Sequence, residues 1–115
     1  MIRIYLPIKT VSLLNMREHF RVTAKRKKEH REIVALVMGN KPRPELPCRI
    51  TLTRISAGEL DSHDNLPSAF KHIVDGLADW LGLDDADPRV TWAYEQEKCK
   101  LKQFGVRVEI VGGVA

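Results

Sequence analysis

Ile2, Ile4 and Leu6 alternate with positions that suit water, and a repeat of two marks a strand with one buried face. Pro7 has no N–H to give a ladder, so it ends this strand or confines it to a sheet edge. Residues 8–18 read as a loop or partly ordered lead-in, where Asn15 or Arg17 could face a substrate. From about 19 to 38 no Pro or Gly interrupts the chain, and Ile33, Val34, Leu36 and Val37 give its second half an apolar side, which predicts a helix. Gly39-Asn40 stops it, since both residues tolerate left-handed geometry. The proline-rich stretch from Lys41 to Pro47 is a linker or turn, and Cys48 to Ser56 is a second strand, with Thr51 and Thr53 alternating with Ile50 and Leu52.

A polar loop over 57–63 leads to a second helix from about 65 to 81. Asp64 or Asn65 can cap it, Pro67 fits its first turn, and Gly82 ends it. Val90, Trp92 and Tyr94 alternate as a third strand. Glu95 to Gln103 reads as a loop carrying Lys98, Lys100 and Lys102, and Val106, Val108 and Ile110 mark a fourth strand. The short gap between the last two strands predicts an antiparallel hairpin. The expected fold is a small single α+β domain spanning 1–115, in β-α-β-α-β-β order, with two helices packed on a mixed sheet.

The second helix separates into two faces. With Asp64 at 0° and 100° per residue, Ser68 falls at about 40°, Lys71 at about 340° and Asp75 at about 20°. Leu66, Phe70, Ile73, Leu77 and Leu81 lie between about 180° and 260°. The apolar stripe faces a sheet, and the opposite stripe displays Asp64, Lys71 and Asp75 in a line. A plainer account is available for each: Lys71 and Asp75 are spaced as a surface i,i+4 pair, and Asp64 as an N-cap. Asp61 precedes this helix, and Asp84 and Asp85 follow it. A straight helix of this length runs about 25 Å, so its two ends cannot share one metal ion. Sharing requires Asp84 and Asp85 to fold back along it, or a neighbouring subunit to supply them.

Charge sharpens the picture. Residues 1–50 hold 12 Lys and Arg against 4 Asp and Glu, whereas residues 51–115 hold 7 against 11. The net charge of +4 is thus +8 in one part and −4 in the other. Arg17, Arg21, Lys25, Arg26, Lys27, Lys28 and Arg31 project around most of the first helix, so some of them meet water or phosphate. Carboxylates gathered at one point bind a hard divalent cation, and a basic body attracts a polyanion. Together they point to a metal-dependent nuclease.

Cys48 and Cys99 form no metal-ligand motif, and His19, His30 and His72 have no zinc-like spacing with them. A reducing, cytoplasmic setting is expected, with no membrane span and no signal-peptide pattern at the start of the sequence.

Several runs, in this order, resemble the RusA family of Holliday junction resolvases, including its prophage-encoded members. They are Leu60-Asp61-x-x-Asp64-Asn65-Leu66, Lys71-x-x-x-Asp75-Gly76, Leu81-Gly82-Leu83-Asp84-Asp85, the strand Val90-Thr91-Trp92, and Gly105-Val106-Arg107-Val108-Glu109-Ile110. The opening strand and basic first helix also suit the family. The resemblance implies a homodimer that binds four-way DNA junctions in recombination or repair and cuts symmetrically placed strands. It implies Mg²⁺ as cofactor, with Mn²⁺ able to substitute. It makes Asp61, Asp64 and Asp85 the catalytic metal-binding acids, with Asp84 as the alternate to Asp85. Lys71 corresponds to the essential lysine and Asp75 to an acid on the same helix. Two residues separate Asp61 from Asp64, where the best-known bacterial form has one. Arg17, Arg21, Lys25, Lys28 and Arg31 are the expected DNA contacts. Cleavage of other branched or flapped DNA, and junction binding without catalysis, are the alternative readings.

Overall fold

The period-two segments become strands and the period-3.6 segments become helices in the computed structural model, which describes residues 1–10, 20–58, 60, 65–99 and 104–114. The elements are β1 (Ile2–Leu6), α1 (Phe20–Met38), β2 (Cys48–Ser56), α2 (Asn65–Ala69), α3 (Lys71–Leu81), β3 (Val90–Lys98) and β4 (Gly105–Gly112). They form an α+β fold with one four-stranded mixed sheet in the order β1-β4-β2-β3.

The predicted β3–β4 hairpin does not form. β4 runs antiparallel between β1 and β2, and β3 pairs in parallel with the far side of β2. A parallel pair needs a long crossover, which α2 and α3 supply between β2 and β3. The side chains agree with these places. Val106, Val108 and Ile110 are all buried, as a central strand demands, while Glu95 and Glu97 are exposed on the edge strand β3. The loop expected from Glu95 is also shorter than predicted. β3 continues to Lys98, in register with Ser56.

The single helix predicted over 65–81 is two. Phe70 lies between them at φ −96° and ψ −1°, and its N–H donates to the carbonyl of Pro67 at 3.1 Å, the tighter spacing of a 3₁₀ turn. The break turns Phe70 fully into the core, where its ring stacks on Tyr94 with centroids 5.6 Å apart and planes 13° apart.

The buried core lies between the helices and one face of the sheet. Leu6, Ile50, Leu52, Val106 and Val108 meet Val34, Met38, Phe70, Ile73 and Leu77 there. Helices α1 and α3 approach closely because Gly76 faces Val34. A Cβ built on Gly76 would lie 3.1 Å from Val34 Cβ. Among the described residues no helix is long and apolar enough to cross a membrane.

Candidate active site

The Lys71 and Asp75 part of the predicted polar stripe lies at the surface of α3. Lys71 is exposed, Asp75 is half-buried and Asp79 is exposed, while Ile73 and Leu77 on the other side are fully buried. Among the described residues no ion pair joins Lys71 to Asp75, so the lysine charge is not taken up by its i,i+4 neighbour.

The acids beyond the helix do fold back. Gly82 adopts left-handed geometry, φ 72° and ψ 26°, and the Gly82 and Leu83 N–H groups donate to the carbonyls of Asp79 and Ala78 at 3.1 Å each. This is the hydrogen-bonded reversal that a C-terminal glycine permits. Leu83 packs against the core, and Asp84 Oδ1 accepts from the Ala86 N–H at 2.8 Å. Trp92 Nε1 on β3 then donates to the Asp85 carbonyl at 3.0 Å and tethers the turn.

As a result Asp85 lines an open cleft of about 270 Å³ with Lys71, Asp75, Ser68 and Tyr94. Asp75 and Asp85 are shared with an adjoining hollow of about 520 Å³ that also holds Asp84, Asp79 and Arg31. The acidic groove therefore runs along the flank of α3, with Lys71 towards one end. Asp84 lines only the larger hollow, whereas Asp85, like Asp75, lines both.

From the sequence Tyr94 reads only as a strand residue. Its position two before Gln96 on the helix-facing side of β3 puts it at the cleft, a placement that depends on β3 lying beside the helices. Burial, and then the negative charge of Asp85, push its phenol pKa up, so it carries its proton at neutral pH. Asp79 had a signal in the sequence, since it falls at about 60° on the same angular plot as Lys71 and Asp75.

Arg17, Asp61 and Asp64 lie outside the described residues. The described residues that flank the two acids are Leu60 and Asn65. Gln96 clamps the backbone of Leu60, accepting from its N–H at 2.9 Å and donating to its carbonyl at 2.7 Å, and Asn65 opens α2. Among the described residues no group of three His, Cys, Asp or Glu side chains is placed to hold a metal ion. The donors in the groove are carboxylate oxygens at an open surface, which suit a hard cation that keeps much of its water, such as Mg²⁺.

The basic helix presents two kinds of cation. Arg21, Lys25 and Lys28 are exposed, with Lys25 and Lys28 each 3.9 Å from Glu29 and Glu32 one turn on. Lys25 also borders a separate hollow of about 480 Å³ between α1 and the end of β1, together with Lys9 and Arg26. Arg31 differs. Its guanidinium is bonded to Asp79, which raises its pKa further and holds it at the rim of the acidic groove.

No protein-family model matches the chain, and no curated protein matches it.

Proposed function

We propose that the chain is a metal-dependent endodeoxyribonuclease that cuts four-way DNA junctions by phosphodiester hydrolysis. The observation that carries this reading is the gathering of Lys71, Asp75 and Asp85 in one cleft, beside a helix that exposes Arg21, Lys25 and Lys28. The ordered runs that resemble the RusA family support it, because two of them meet in that cleft.

In this reading Asp75 and Asp85, with Asp84 beside them and Asp61 and Asp64 from the sequence before α2, would hold Mg²⁺ or Mn²⁺. When bound, the ion supplies neutralisation of phosphoryl charge and a lowered pKa for water. Lys71 places its cation against the phosphoryl oxygens and stabilises charge that grows in the transition state. Asp75, spaced one turn from it, orients the attacking water. Lys25 and Lys28 hold more distant phosphates, giving salt-dependent affinity with little sequence preference. A homodimer would set two such clefts at a fixed spacing and so produce paired cuts.

The test is incubation of an end-labelled synthetic four-way junction with millimolar Mg²⁺ or Mn²⁺, beside a matched linear duplex and the Asp85→Asn protein. Paired nicks near the branch point, absent in both controls, are expected. Equal cutting of flap substrates would move the reading to a general branched-DNA nuclease. Binding with no product in either metal would reduce it to a junction-binding protein.

A further inference from the structure

The acidic groove does not end at Asp79. Arg31 and Asp79 are shared with a third hollow of about 260 Å³, lined also by Gly39, Gly76, Trp80 and Arg43. The three hollows thus adjoin one another around α3, from Lys71 past Asp75 and Asp85 to Arg43.

Arg43 is held in an unusual way for a surface cation. Its Nε donates to the Trp80 carbonyl at 2.9 Å, and its guanidinium carbon stands 5.2 Å from the centroid of the Trp80 ring. Trp80 itself is buried. The guanidinium is therefore held by two neutral carbonyls, that of Trp80 and that of Lys41 at 3.4 Å from Nη1, and by a π face. Among the described residues no carboxylate pairs with it. Asp79, the nearest acid in the hollow by lining, is already bonded to Arg31. What remains is a positive charge with no carboxylate partner among the described residues, beside the acidic groove.

We infer that Arg43 binds a backbone phosphate of the same DNA strand whose cleaved phosphate lies at Asp75 and Asp85. This rests on the nuclease reading above. Trp80 stands five positions beyond Asp75 on α3, roughly 7.5 Å along the axis and about 140° around it. The anchored phosphate is thus a different one from the one that reacts, and Arg43 fixes the path of the strand where it leaves the groove. Planar guanidinium suits this task, since it can offer paired N–H donors to phosphate oxygens. The contacts to Trp80 and Lys41 mean that little side-chain entropy is lost on binding.

The experiment measures binding of a synthetic four-way junction in EDTA, over a salt series, for the full-length protein and its Arg43→Ala and Arg43→Lys forms. In parallel, single phosphates around the branch point are replaced by neutral methylphosphonates. The expected result for Arg43→Ala is a log–log salt slope smaller by about 1 per chain. One methylphosphonate should weaken the wild-type complex and have no further effect on Arg43→Ala. Arg43→Lys, which keeps a cation at this position, should retain the salt slope and the methylphosphonate effect but lose part of the affinity, and Arg43→Gln carries the Arg43→Ala comparison if that form unfolds. An unchanged slope together with equal methylphosphonate effects in wild type and the neutral variant would overturn the inference. The two readings separate cleanly. A protein that binds through Arg43 yet cuts nothing keeps the phosphate contact and loses the nuclease. One that cuts with Arg43 indifferent keeps the nuclease and loses the contact. A wild-type protein that binds no junction overturns both.

Discussion

Asp75 and Asp85 line the same groove, although a helix end and a left-handed turn separate them in the chain. Their convergence depends on the Gly82 reversal and on the Trp92 tether to the Asp85 carbonyl. If these two carboxylates share a metal ion, Asp75→Asn and Asp85→Asn should each lower junction cleavage by about 100-fold or more. Junction affinity in EDTA should stay within about threefold of wild type, since neither acid contacts phosphate without a metal. Gel-shift and cleavage assays on the same preparations decide this, and normal cutting by Asp85→Asn would remove it from the site.

Gly82 can be tested apart from the chemistry. A Cβ there would meet nothing within 4 Å, so Gly82→Ala has only the left-handed backbone to oppose it. The expected cost is about 1 kcal/mol, or roughly 4 °C in Tm. Gly82→Asn should cost less, because Asn accepts this geometry more readily. Thermal melts of the two variants should rank in that order.

Lys25 and Lys28 stand in water with only long contacts to Glu29 and Glu32. Such helix-surface pairs contribute about 0.3 kcal/mol each. Replacing both lysines by Ala should therefore leave Tm nearly unchanged. If both touch phosphates, the log–log salt slope of junction binding should fall by about 1.8 per chain. A slope equal to wild type would take this face of α1 out of the DNA interface.

His30 and His72 meet edge to face at the α1–α3 contact, with ring centroids 6.0 Å apart. Both are buried, and three of their nitrogens (His30 Nδ1 and both of His72) are buried without a hydrogen-bond partner. Burial lowers both pKa values, that of His30 to about 4; at His30 the charges of His72 and Arg26 lower it further while Glu29 raises it, and at His72 Asp75 raises it while Lys27, Lys71 and Arg26 lower it. The unfolded chain takes up these protons near pH 6.5, whereas the folded protein keeps His30 neutral until about pH 4. Stability is therefore full above 6.5 and is lost as pH falls towards 4, by at most about 1.4 kcal/mol per pH unit for each histidine. Denaturant unfolding at pH 7 and pH 5 should show the loss in wild type and a smaller one in a His30→Leu, His72→Leu double variant. Equal losses would assign the acid sensitivity to other groups.

Much of the local structure was legible in the sequence. The bounds of β1, α1 and β2 follow from alternation, from an uninterrupted helical run and from Gly39-Asn40, all of which depend on neighbours in the chain. The polar stripe of Lys71 and Asp75 also needed only the helical repeat. The break at Phe70 was not legible, because it serves a stack with Tyr94 that exists only once β3 lies under α2.

The sequence by itself determined which residues are apolar, which are charged, and at what period each recurs. It thereby settled the kind of element at most positions, as well as the division of the chain into a basic part and an acidic part. Only the tertiary structure decided the strand order, because Val106, Val108 and Ile110 could have paired with β3, and the ladders to β1 and β2 instead place β4 inside the sheet. Only it brought Asp85 back to Asp75 and set Arg31 against Asp79. Those meetings require the rotation of a turn and the packing of one helix on another, and no local repeat encodes either.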